Sequence, residues 1–256
     1  MHAGQTVLLV GGTGRTGRRV LEQLLERGVG VRAIVRSAGR LPAEFAADPR
    51  LTVVEADLLS LRGQDLVAQV RGCEAVISCL GHVISVKGVL GPPHDLVTLA
   101  TKRLRQAIRE SQPEAPVKFI LMSSVSVNHP GEPEARRGTL EKVLLWVLRG
   151  LVPPSRDNQR AADFFHREVG TSDRFVQWVV VRPDTLVDGG VSDYALHENL
   201  VSSLFKPDRT NMANVAHFMC DLATEAGMWD RWAGRLPVIV NGPRPTPGVG
   251  DAERRA

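Results

Sequence analysis

The sequence lacks paired cysteines, long apolar runs, blocks of like charge and internal repeats, and each absence narrows what the chain can be. Its three cysteines, Cys73, Cys79 and Cys220, form no Cys-x-x-Cys and leave one over if two pair, so reduced thiols in a cytosol are the expectation. Seven histidines, His82 and His94 among them, are scattered without ligand spacing, and no metal is expected. No window approaches the roughly 20 apolar residues of a membrane span. The N-terminus enters a strand pattern almost at once, with no basic segment, apolar core and cleavage site before it, which reads as a cytoplasmic protein without a leader. Lys and Arg number 32 against 28 Asp and Glu, and only short basic pairs such as Arg18-Arg19 and Arg136-Arg137 occur. That spread argues against nucleic acid and against a membrane surface, while a mild positive excess suits an anionic small molecule.

What is present begins with Val7-Leu8-Leu9-Val10-Gly11-Gly12-Thr13-Gly14-Arg15-Thr16-Gly17, followed by Val20, Leu21, Leu24 and Leu25 at helical spacing. A strand, a tight glycine turn and a helix start form a phosphate cradle. Gly11 and Gly14 let the backbone turn and approach a pyrophosphate, which faces the free N–H groups and positive dipole of the helix N-terminus, and Gly17 lets the helix pack close. Thr13, Arg15 and Thr16 belong to the same turn. A second strand, 31–35, ends in Arg36, where an acidic residue would bind both ribose hydroxyls and an arginine pairs instead with a 2′-phosphate. Arg36 therefore points to NADP(H), with Arg15 and Arg40 as further positive charge. After a third strand, 51–56, Asp57 is placed either to accept from the adenine amino group, with Leu58 on the ring, or to cap the helix read over 60–70. A fourth strand, 75–79, ends in Cys79, and Leu80-Gly81 close it where a cofactor crosses the sheet. The loop 81–93, broken by Gly91-Pro92-Pro93, has the length of a substrate cover.

A helix over 95–111 and a fifth strand, 117–122, lead to Ser123-Ser124. In an open parallel sheet the tips of the central strands line the ligand crevice, which makes Ser124 the leading catalytic candidate and places Ser123 beside the cofactor. The apolar face Leu140, Val143, Leu144, Val147, Leu148 and Leu151 predicts an added helix, either packed on the body or serving a protein partner or a second copy. A sixth strand, 176–181, runs into Arg182-Pro183-Asp184; Asp184 is a general acid if burial raises its pKa, or else a turn carboxylate. Residues 188–207 read as irregular, 211–226 as a helix, 236–240 as a last strand, and 242–256 as a mobile tail. The whole is one α/β domain over 1–241, Rossmann-type and doubly wound, with a mainly parallel sheet, helices on both faces and a small substrate-side lobe at 185–235.

The glycine turn, Arg36, Asp57-Leu58, Ser123-Ser124 and Val181-Arg182-Pro183-Asp184 together resemble an atypical short-chain dehydrogenase/reductase of the NAD(P)H-binding, NmrA-like branch, similar to flavin reductases of the biliverdin reductase B type. The resemblance implies a Rossmann fold, an NADP site, a backbone contact to the nicotinamide amide after Pro183, and a shallow substrate pocket at the strand tips. It also exposes a departure. The family's Tyr-x-x-x-Lys pair, in which Tyr gives the proton and Lys lowers its pKa, falls in Pro154-Ser155-Arg156-Asp157-Asn158-Gln159, so Ser155 and Gln159 stand in those places, and the only tyrosine, Tyr194, lies outside this helix. Ser155 joins Ser124 and Asp184 as the third residue at the candidate reacting centre. Hydride transfer to a flavin, quinone or other conjugated acceptor tolerates the loss, because the product anion is already stabilised. An NADP(H)-binding redox sensor without turnover and a redox-neutral isomerase or cyclase are the alternatives.

Overall fold

The structure is a computed structural model that describes residues 4–81, 94–129, 153–203 and 206–242. The expected loop 82–93 with His82, the helix 140–151, Phe205 and the tail 243–256 lie outside the described residues.

Continuous apolar runs at β1 (Thr6–Val10), β4 (Ala75–Ser78) and β5 (Val117–Met122) are the signature of strands covered on both faces. They form the centre of an eight-stranded sheet together with β2 (Gly30–Val35), β3 (Leu51–Glu55), β6 (Val176–Pro183), β8 (Tyr194–His197) and β10 (Val238–Asn241). The strand order is β3-β2-β1-β4-β5-β6-β10-β8, parallel throughout except for β8, which pairs antiparallel with β10 at the edge. The order reverses between β1 and β4, and that reversal opens a crevice at the strand C-termini. A separate two-stranded parallel pair joins β7 (Thr185–Val187) to β9 (Arg209–Asn211).

Alternate residues of β1 enter two different cores. Val7 and Leu9 pack with Val20, Leu21 and Leu24 of α1 (Arg15–Glu26) and with Phe218 and Met219 of a helix near the C-terminal end. Leu8 and Val10 pack on the other face with Leu66, Leu104 and Phe165. That second layer consists of α3 (Gly63–Val70), α4 (Leu96–Ser111) and α5 (Pro153–Phe164), the last continuing as a π turn. A short α2 (Ala43–Ala46) precedes β3. The first layer is completed by α6 (Met212–Thr224) and α7 (Ala226–Trp232). The Rossmann-type, doubly wound sheet with helices on both faces is therefore as expected. No helix among the described residues is long and apolar enough to cross a membrane.

Three details differ from the sequence reading. The helix expected over 60–70 starts only at Gly63, because Ser60 and Leu61 donate to the carbonyl of Asp57 and keep 57–61 in a turn. The helix expected over 211–226 breaks at Glu225, whose extended backbone lets α7 start afresh and turns Trp229 and Trp232 into the core. Within 188–207 the supposedly irregular chain contains β8, whose half-buried Tyr-Ala-Leu-His gives too weak an alternation to read.

One buried charge ties the far side of the sheet together. Arg182, fully buried at the end of β6, donates through Nε to Leu236 O (2.8 Å), through Nη1 to Val127 O (3.1 Å) and through Nη2 to Glu198 O (3.1 Å). Removing it strands three carbonyls and leaves a hole. Arg182→Ala is expected to cost about 3–5 kcal/mol in urea unfolding; a loss under about 1 kcal/mol contradicts this role.

Candidate functional site

Two helix N-termini face the crevice, and the chain treats them oppositely. At α4 a buried carboxylate fills the end: Asp157 of α5 accepts from Val97 N at 2.7 Å and from Thr98 N at 2.9 Å, and Thr98 Oγ1 returns a bond to Asp157 O at 3.0 Å. At α1 the N-cap is Gly14, with no side-chain cap and no acidic residue in the first turn. The donors of that end, with the positive end of the helix dipole, are left for an anion from outside.

The turn in front of α1 is built by close approach. Gly11 has φ +80°, and a Cβ there would lie 2.6 Å from the carbonyl carbon of Cys79. A Cβ on Gly17 would lie 2.2 Å from Gly11 O, so Gly17 lets the helix settle on the turn itself. Thr16 is buried beneath it. A pocket of about 230 Å³ follows, lined by Gly11, Thr13 and Gly14, by Arg36 and Arg40, by Asp57 and Leu58, and by Cys79, Leu80, Gly81 and Leu96. Arg36 and Arg40 are both exposed, and neither side chain has a partner among the described residues. Asp57 Oδ1 accepts from Leu59 N at 2.8 Å, closing the turn beside the pocket that Asp57 helps to line. Burial pushes the Cys79 thiol far up, with Cys220 adding to the effect, so Cys79 lines the pocket as an apolar wall.

Arg15 has an exposed acidic partner. Its side chain is outside the pocket lining and pairs with Asp188 at 2.8 Å, alongside Arg19 at 3.1 Å. Arg15 and Asp188 are both more than 60% exposed, so the pair contributes little stability.

At the tips of β5 and β6 a second cavity, of about 380 Å³, brings together Ser124, Ser126, Pro183, Asp184 and Thr185 with Leu200, Ser202, Ser203 and Pro207. Ser124 Oγ lies 2.7 Å from Ser126 Oγ. Asp184 Oδ1 accepts from Thr185 N (2.7 Å) and Thr185 Oγ1 (3.3 Å); Oδ2 accepts from Ser202 Oγ and from Asp208 N (3.1 Å). Two peptide N–H groups and two hydroxyls thus surround the carboxyl, an arrangement that a turn carboxylate also has. Ser123 and Ser155 are not in this lining; each has a buried Oγ with no partner among the described residues.

The helix that should carry Tyr and Lys is fixed by other means. Gln159 Oε1 accepts from Asn128 N at 2.8 Å, and its Nε2 donates to Asn128 O at 3.2 Å and to Asp163 at 3.0 Å, so Gln159 clamps the peptide that follows β5. Tyr194 is elsewhere, with its hydroxyl 3.1 Å from both Asp221 Oδ2 and His217 Nδ1. Burial, reinforced by the Asp221 carboxylate, raises its pKa well above the ordinary phenol value, so it is no replacement acid. Sequence reasoning missed Arg182, Asp157 and Gln159 as structural ties. Arg182 had a signal, a charge directly after a buried strand; Asp157 and Gln159 sit among Arg156, Asn158 and Arg160 and read as a solvated face.

An open helix end, a glycine turn and a crevice at a strand-order reversal define a dinucleotide-binding Rossmann protein. The model of the NAD(P)H-binding family matches residues 11–226, and the chain belongs to that family. An uncharacterized chloroplastic protein of Arabidopsis thaliana is 37% identical over 124 residues, covering 48% of this chain and 42% of that protein. Protein TIC 62, chloroplastic, of Oryza sativa subsp. japonica is 29% identical over 160 residues, covering 56% of this chain and 31% of that protein. The chain thus spans less than half the length of these curated relatives. Among solved structures, ChuY of Escherichia coli O157:H7, described as an anaerobillin reductase, superposes with a TM-score of 0.64 at 18% identity, covering 95% of this chain and 100% of that one. The fold is the same.

Gly17→Ala tests the cradle. The added methyl collides with Gly11 O, so a loss of about 1–3 kcal/mol is expected, together with weaker dinucleotide binding in a fluorescence titration. Unchanged stability and affinity contradict the geometry.

Proposed function

We propose that the chain is an NADPH-dependent reductase that passes hydride to a conjugated acceptor such as a flavin or quinone. The observation that carries the reading is the unfilled N-terminus of α1 beside the unpartnered Arg36 and Arg40. The bound dinucleotide supplies the hydride. The chain's own residues hold and orient: α1 N–H groups take the pyrophosphate, Arg36 and Arg40 the 2′-phosphate, Asp57 and Leu58 the adenine, and Cys79, Leu80 and Gly81 the crossing of the sheet. Ser123 and Pro183 sit at the two strand tips that flank the nicotinamide end.

Ser124 lines the cavity within reach of an acceptor oxygen, while Asp184 holds Thr185, Ser202 and Asp208 around it. With Gln159 holding a peptide and Tyr194 remote, no strong acid is available among the described residues. An acceptor whose reduced anion is delocalised suits such a site, since water completes the protonation. The NADH and flavin chemistry named for structural neighbours is consistent with this reading without deciding the acceptor.

A second reading, a redox sensor that binds NADP(H) without turnover, draws on the conversion of the Tyr-Lys helix into a clamp. A protein partner or second copy meeting the 140–151 segment belongs to that reading.

NADPH oxidation against flavins, quinones and simple carbonyls separates the two. Turnover is expected with conjugated acceptors and not with simple carbonyls; tight NADPH binding with no turnover on any of them overturns the reductase reading. Arg36→Asp is expected to weaken NADPH about 10- to 100-fold, the loss of a charge-assisted pair, and to leave NADH within about threefold. Equal effects on both cofactors contradict the phosphate assignment.

A further inference from the structure

The cavity at the strand tips carries its own statement about what enters it. Its polar lining is made of hydroxyls and one carboxylate: Ser124, Ser126, Thr185, Ser202 and Ser203 surround Asp184. Asp184 is 8% exposed. It is held by two peptide N–H groups and two hydroxyls, all neutral, and no cation pairs with it among the described residues. Arg182, two residues before it, donates to the carbonyls of Val127, Leu236 and Glu198 and is not part of the lining. Lys206 and Arg209 are exposed and also outside it.

A charge kept from water and balanced only by neutral donors acts on a neighbouring charge with little screening. A second anion brought into the same cavity meets that repulsion and loses its own hydration as well. A neutral carbonyl or hydroxyl pays neither cost. After its bond to Ser126, Ser124 Oγ still has hydrogen-bonding capacity for such a group.

We propose that the end of the acceptor entering this cavity is uncharged and bears a carbonyl or hydroxyl oxygen, and that Asp184 is the residue that turns acidic acceptors away. Identifying the ligand as an acceptor rests on the reductase reading; the charge preference rests on the cavity alone. It favours a neutral quinone-like ring over a carboxylate-, sulfonate- or phosphate-bearing one at this end. Asp184 is thus a specificity residue in place of an acid.

The test pairs 1,4-naphthoquinone with 1,4-naphthoquinone-2-sulfonate. Calorimetric titration into protein saturated with NADP+, where no hydride is available, reads binding without turnover. The expected result is binding of the neutral quinone at least about tenfold tighter than the sulfonate. Asp184→Asn should bring the two within about twofold, whereas Asp65→Asn, the same charge change on a remote exposed surface, should leave the ratio in place. Equal affinity of the unaltered protein for both probes, or binding of neither, overturns the proposal without need of a variant, and so does a folded Asp184→Asn protein with an unchanged ratio. If the neutral quinone binds selectively and NADPH is not consumed in its presence, the reductase reading fails and the charge preference stands.

Discussion

An unfilled helix N-terminus is the feature on which the rest of this molecule depends. The two helix ends at the crevice make the contrast internal: Asp157 supplies α4 with the acceptor its first turn needs, and no side chain among the described residues supplies α1. Each unsatisfied N–H that is removed from water costs on the order of 1–3 kcal/mol, so an end left open beside a pocket is tolerated where solvent or an anion occupies it. Holding it open requires that α1 start directly behind β1, which in turn requires Gly11 against Cys79 and Gly17 against Gly11. The glycine spacing is therefore a packing condition first and a phosphate site as its consequence.

The opposite end of the crevice is organised by polar ties that cross long stretches of sequence. Arg182 joins β6 to the chain after β5, before β10 and after β8. Asp184 joins the end of β6 to Ser202 and Asp208, beside Leu200, Ser203 and Pro207 in the wall of the strand-tip cavity. Gln159 and Asp157 lock α5 at two points, to the Asn128 peptide and to α4. A lysine at position 159 could not replace that clamp, since it has no acceptor for Asn128 N. Asp157 and Gln159 are thus structural ties of α5.

Much of the fold was legible from periodicity. The strands β1, β2, β4 and β5 were readable to within a residue because each is a short apolar run bounded by Gly, charged or Ser residues, and α1 and α4 showed full helical stripes. Boundaries failed where local hydrogen bonding competes with the pattern, as at Asp57, whose carboxylate and carbonyl hold a turn where a helix was expected. The edge strand β8 failed because one-sided, half-buried strands carry little alternation. That Gly11, Gly14 and Arg36 line one pocket was legible because each stands at the end of a readable strand. The pairing of Arg15 with Asp188, 173 residues away, was not legible, and the roles of Asp157, Gln159 and Arg182 likewise depend on partners that no local window contains.

The central claim is that the open end of α1, with Arg36 and Arg40 beside it, is a site for a 2′-phosphorylated dinucleotide. Calorimetric titration of the native protein with NADPH, NADH and 2′,5′-ADP tests it most directly. The account predicts NADPH binding at least about tenfold tighter than NADH, with 2′,5′-ADP competing for the same site. Equal affinity for NADPH and NADH, or 2′,5′-ADP that fails to compete, would contradict it.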